Sequence, residues 1–147
     1  MGARLATAAV LLAGTVFAVA HMARAGGDPL GRWLTAGGKS QVEIAPCGER
    51  LCGRIVWLKE PLDDDGSPKR DAKNKDETLR ERPILGLPLL QGFRRLEDGS
   101  WGEGSIYNPE DGDTYRSQMR LVGDDELQVE GCVFIFCKAQ TWKKVMQ

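Results

Sequence analysis

Cysteine is the residue type whose chemistry this sequence states most directly. Cys47 and Cys52, and Cys132 and Cys137, form two pairs with the same four-residue gap. In an oxidising compartment such pairs become structural disulfides. Four thiols allow three pairings. Cys47 with Cys52 and Cys132 with Cys137 is the preferred one, because residues flanking a four-residue hairpin loop sit opposite one another at bridging distance. Each bridge would close a small loop and stabilise modestly. A four-thiolate zinc site is the sharper alternative, but oxidation competes for the thiols, so no metal is expected. A redox role is weaker still, since the gap is two residues longer than in Cys-x-x-Cys.

The compartment is read from the first residues. Arg4 gives a positive start, Leu5 to Ala20 is almost wholly apolar, and Ala23-Arg24-Ala25 offers small residues at the −3 and −1 positions of a cleavage site. The apolar run is shorter than the roughly 20 residues of a membrane-spanning helix. Residues 1–25 are therefore expected to be a signal peptide and Gly26 to Gln147 one mature domain, exported to the periplasm or the extracellular space. The formal net charge of −1 becomes more negative once Arg4 and Arg24 are lost, and no basic face stands out, which argues against nucleic acid as a partner.

The only histidine, His21, lies in that leader. Its loss would remove the imidazole base of the usual serine and cysteine hydrolases and the His ligands of catalytic zinc sites. An enzyme would then need paired carboxylates or a Lys or Tyr base, and no pair announces itself by spacing. No catalytic residue and no cofactor is expected, and a non-enzymatic role is favoured.

Polar residues with binding potential gather in one place. Asp71, Asn74, Asp76, Arg80 and Arg82 stand where a long charged segment, Lys59 to Pro83, rejoins the apolar pattern. They are candidates for ligand contact at a barrel mouth, or a network that pins the segment down, with Asp76 capping a short helix and Arg82 paired with a carboxylate. Asp63-Asp64-Asp65-Gly66 hints at calcium but lacks the spaced ligands and closing Glu of a calcium loop. Tyr107, Asn108, Asp111 and Tyr115 surround one hairpin and are placed to hydrogen-bond a substrate, but Asn108-Pro109 and Asp111-Gly112 more simply build the turn. Among Trp33, Trp57, Trp101 and Trp142, core packing is the default, with Trp57 and Tyr115 as candidate wall residues for a small apolar ligand. Val133-Phe134-Ile135-Phe136, between the last two cysteines, either buries in the barrel opening or marks a contact patch. Phe134 and Phe136 are thus candidates for contact with an envelope protein or a membrane surface.

The elements that must position these residues are strands. Short apolar and β-branched runs alternate with turn residues, and no stretch keeps a helical period for long. Strands are expected at about Gly31 to Thr35, Gln41 to Ala45, Leu51 to Leu58, Ile84 to Leu96, Ser100 to Tyr107, Asp113 to Val122, Glu126 to Val133 and Ala139 to Val145. Tyr115, Ser117, Met119 and Leu121 share one face, and Leu127 and Val129 do the same in the next run, so one side is buried and one wet. Eight such strands make an all-β barrel or sandwich. The long polar segment carries a short helix near Glu77 to Glu81, which Pro83 stops.

With these landmarks placed, the chain resembles the bacterial family called domain of unknown function 2147. The likeness rests on Gly31-Arg32-Trp33, on Cys47 to Trp57, on Asp71, Asn74 and Asp76 leading to Leu79 to Gly86, on Gly104 to Pro109 with Gly112 and Tyr115, and on Gln140 to Val145. The resemblance implies an exported, eight-stranded, up-and-down, lipocalin-like barrel and no established activity or ligand. Where the family usually ends in Thr-Arg after the last Trp, this chain has Lys143-Lys144, so Lys144 is expected to make the cation contact with Trp33 that closes one end. Two roles follow: a carrier of a small apolar molecule with residues 59–83 as a lid, or an interaction protein with a solid barrel.

Overall fold

Turns rich in Gly, Asp and Asn cut the chain into strands too short to stand alone, and pairing each with the next is the simplest way to satisfy their backbone groups. A computed structural model describes residue 2 and residues 27–146, so the leader expected at 1–25 lies, residue 2 aside, outside the described residues. Eight strands run in order: β1 (Gly31–Leu34), β2 (Ser40–Cys47), β3 (Arg50–Leu58), β4 (Pro88–Arg95), β5 (Trp101–Asn108), β6 (Asp113–Leu121), β7 (Glu126–Val133) and β8 (Phe136–Lys144). Each is antiparallel to its neighbour, and β8 pairs with β1 to close an up-and-down barrel. Closure gives every strand a partner on both sides, the β1–β8 seam through two facing residue pairs.

The up-and-down order sorts the connections to two ends. The β2–β3, β4–β5 and β6–β7 turns lie at one end; the β1–β2 and β7–β8 turns, the β5–β6 turn and the long segment 59–87 lie at the other. The long segment carries only a single 3-10 turn, Glu77–Leu79, capped by Asp76. That is shorter than the helix expected at Glu77 to Glu81.

Alternation decides what faces inward. Ser117 and Met119 of β6 are buried while Thr114, Arg116, Gln118 and Arg120 are exposed, and Leu127 and Val129 of β7 are buried, as the period-2 pattern requires. The interior is filled by Trp33, Val42, Leu90, Phe93 and Leu127, all 0% exposed, and by Ile44, Met119, Val129 and Trp142 at 1%. A void that could hold even a single water would give its lining some accessible surface, and these side chains have essentially none. Close packing also explains Gly104: a Cβ there would lie 2.5 Å from the Phe93 ring.

At the end where the chain enters, the Trp33 indole donates to the Pro29 carbonyl at 2.9 Å, and the Lys144 ammonium sits 4.4 Å from the Trp33 ring centroid. The cation contact expected from the Lys143-Lys144 departure is therefore made.

Two boundaries differ from expectation by three residues or more. The run Ile84 to Leu96 is not one strand: residues 84–87 form a turn in which Gly86 takes φ 89° and its amide donates to Ile55, and β4 begins only at Pro88. The apolar character of Ile84 and Leu87 comes from burial in the core, not from strand pairing. β8 begins at Phe136 rather than Ala139, because the hairpin between the last two cysteines turns on two residues, not four.

Candidate functional site

Both disulfides form as preferred. Cys47–Cys52 clips the β2–β3 hairpin with Cα atoms 5.7 Å apart, and Cys132–Cys137 joins residues directly opposed in the β7–β8 register.

The polar cluster is assembled as the sequence suggests, around a carboxylate with no exposed surface. Asp71 is 0% exposed. Its side chain accepts from the Tyr107 hydroxyl at 2.6 Å, from the Asn74 amide at 2.8 Å, and from both Nε and Nη2 of Arg82 at 2.8 Å. A buried charge is tolerated only with this kind of pairing. Around it, Asn74 Oδ1 accepts from the Asp76 amide, Arg80 Nε donates to the Asn74 carbonyl, and Asp76 accepts from the amide and hydroxyl of Thr78. Those Thr78 bonds hold the Asp76 carboxyl below its ordinary range. Burial, and then the hydrogen bond to the Asp71 carboxylate, push the Tyr107 hydroxyl up to about 12. The Arg82 guanidinium lies 5.4 Å from the Tyr107 ring centroid.

The partnership of Tyr107 with Asp71 spans 36 residues, and no spacing rule links the two. The register shows where it sits. Ile106 is opposite Leu90 and Tyr115, so it faces the interior, and Tyr107, one residue on, takes the outer side of the sheet. Tyr107 is nevertheless buried, as is Leu89, the outward neighbour of Leu90. Segment 59–87 covers Tyr107 through Asp71, Asn74 and Arg82, strapping the outer flank of β5 beside the rim. It is tied there by Lys73 Nζ to the Glu110 carbonyl at 2.8 Å and by a Lys75–Asp113 ion pair at 3.5 Å. The local signal for such a strap is the pair of adjacent buried residues, Leu89-Leu90 and Ile106-Tyr107, that breaks the in-and-out pattern on neighbouring strands.

Trp57 and Tyr115 do not join this cluster. Trp57 is 41% exposed at the end of β3. Tyr115 is half-buried against the core and donates to Asp111 at 2.8 Å, which raises its hydroxyl above the ordinary value. Burial alone would raise the Asp111 carboxyl, but bonds from the Asp113 amide, Tyr115 and Asn108 outweigh it and hold it low. Asp63 to Gly66 forms a turn: Asp65 accepts from the amide and hydroxyl of Ser67, so its carboxylate already has partners. Two clefts of about 250 and 200 Å³ lie on the outer surface, lined chiefly by outward residues of β6–β7 and of β2–β3.

The remaining site is the β7–β8 turn. Phe134, Ile135 and Phe136 are 84%, 85% and 77% exposed, with Val133 at 49%. Phe134 has φ 53°, a left-handed backbone that a two-residue hairpin loop uses and that Gly, Asn or Asp fills without strain. The Arg116 guanidinium donates to the Phe134 carbonyl. The apolar run therefore forms an exposed tip and does not bury in the barrel.

The comparisons with known proteins agree with this architecture. No curated protein matches the chain. Protein HP1028 of Helicobacter pylori, described as belonging to the lipocalin family, superimposes with a TM-score of 0.69 at 24% identity, covering 81% of this chain and 84% of that one. At that identity the likeness speaks for the fold: an all-β, lipocalin-like barrel. Residues 31–144 match the profile of a family described as an uncharacterised protein conserved in bacteria, and since that span takes in all eight strands, the chain belongs to the family called domain of unknown function 2147.

Proposed function

We propose that this protein is a non-enzymatic binding module working outside the cytoplasm, and that it binds through the outer apolar tip of the β7–β8 hairpin. The observation that carries the reading is the combination at Phe134: a large apolar side chain, 84% exposed, on a left-handed residue where glycine would be free of strain. Such a residue is strained in its backbone and gains nothing from burial of its side chain, and strain of this kind clusters where function requires it. The disulfide one residue behind Val133 fixes the turn, so little order has to be gained on contact.

Export is supported by the leader pattern and by two disulfides, which persist in oxidising compartments. N-terminal sequencing of protein recovered from the periplasm or the medium is expected to begin at Gly26. The carrier reading, with a small apolar ligand against Trp57 and Tyr115 and segment 59–83 as a lid, has less support. The interior is packed, and the polar cluster straps the outer flank. Asp71, Asn74, Asp76, Arg80 and Arg82 are better explained as the fastening of that strap than as ligand contacts.

The test is the distribution of the protein between soluble and envelope fractions of its source cells. The wild type is expected to sediment with the envelope and the double variant Phe134→Ser, Phe136→Ser to remain soluble with an unchanged melting curve. Equal distribution of the two would remove the reading.

A further inference from the structure

We infer that the partner of the tip is an anionic lipid surface. This rests on the reading of the tip as the contact site and names the chemistry that meets it. Three observations favour lipid over a protein groove. The first is extent: the apolar surface is confined to consecutive residues of one turn, Val133 to Phe136, whereas a standard protein interface draws on roughly 20 residues from each partner. A bilayer asks for no complementary patch around the insertion.

The second is charge. Arg116 on β6 is opposite Cys132, one strand position below Val133, and Lys138 on β8 is opposite Gly131, two positions below, so the two cations stand behind the tip on the strands flanking β7, one on each face of the sheet. Neither has a carboxylate partner among the described residues; Arg116 holds the Phe134 carbonyl instead. Of the two acidic groups on the intervening strand, Glu126 pairs with Lys143 at the far end, and Glu130, nearer the tip, is half-buried. Apolar side chains at the apex with cations a few ångströms behind them match the order of acyl boundary and phosphate in a membrane surface.

The third is the choice of residue. A protein groove selects one anchor of defined shape, whereas Phe134, Ile135 and Phe136 follow one another around a tight turn with none of the three singled out by burial. That arrangement suits a solvent with no fixed shape.

Flotation with vesicles tests the inference, using the mature chain with its disulfides intact. Vesicles of phosphatidylcholine alone are compared with vesicles in which part is replaced by phosphatidylglycerol. The wild type is expected to float with the anionic vesicles, less so as salt is raised. The double variant Phe134→Ser, Phe136→Ser should bind about 100-fold more weakly. Lys138→Gln should lose about five-fold on anionic vesicles only. Phe134→Gly serves as the folding control: it relieves the left-handed residue, so it should melt no lower than wild type while binding more weakly. Absence of wild-type flotation on either composition would overturn the lipid assignment. If the envelope fractionation still depended on Phe134 and Phe136, the tip reading would stand with a protein as partner. Flotation that survives the double serine variant would overturn the inference as well, because another surface would then be the lipid contact.

Discussion

Asp71 sets the terms at the scale of single residues, because an unexposed carboxylate must be matched by donors or lose its charge. Tyr107, Asn74 and Arg82 supply the match, so removing the acid strands three groups at once. Asp71→Ala is expected to cost about 3 kcal/mol in urea unfolding, and Tyr107→Phe about 1 kcal/mol. Tyrosine ionisation gives a second reading of the same contact. Tyr107 keeps its proton to about 12 in the fold, while the unfolded chain loses it near 10. Between those values the folded state binds more protons, so stability falls as pH rises, and below them the group is neutral in both states. The chain has two tyrosines, and both titrate high. Tyrosinate absorbance is therefore expected to develop late in the native protein, with Tyr107→Phe removing the later component. A single step at the ordinary value would contradict the network.

Among the elements, segment 59–87 shows what was legible and what was not. The sequence places Asp71, Asn74, Asp76, Arg80 and Arg82 together because they are close along the chain, and that grouping holds. It gives no sign of Tyr107, because hydrogen bonds between distant residues leave no periodic trace. The strand pattern was readable where one face is wet, as in β6 and β7. It misled at Ile84 to Leu96, where apolar residues serve a turn and a flank buried on both sides. The hairpin positions of the cysteines were readable too, but not that Phe134 would turn the chain without glycine. Gly112 reports on how tightly the strap is held: its φ is 77° and a Cβ there would stand 1.8 Å from the Lys73 carbonyl oxygen. Gly112→Ala is expected to lift the strap, costing about 2 kcal/mol and opening segment 59–87 to limited proteolysis. Intact resistance to protease would show that the strap is held elsewhere.

For the molecule as a whole, alternation left barrel and sandwich equally open, and the resemblance to a lipocalin-like family chose between them. Closure is a property of β1 meeting β8, and neither strand alone carries a mark of it. The two bridges contribute less to this architecture than their number suggests. Each spans a sequence separation of five, so each removes little freedom from the unfolded chain, about 2 kcal/mol. Reduction is expected to lower the melting temperature while leaving the far-ultraviolet circular dichroism of the barrel in place at 25 °C. Loss of that signal on reduction would assign the bridges a larger share.

The β1–β8 seam has a consequence for the order of assembly. Apart from that seam, each strand pairs with its neighbour in the chain, and the seam itself has only two facing residue pairs, Trp33 with Lys144 and Leu34 with Lys143. A chain emerging N-terminus first can zip hairpin by hairpin, but its cylinder stays unsealed until its last strand is delivered. Unsealed, Trp33 waits without the lysine that caps it, and hydrogen exchange in the native protein should find its least protected ladder along that same line.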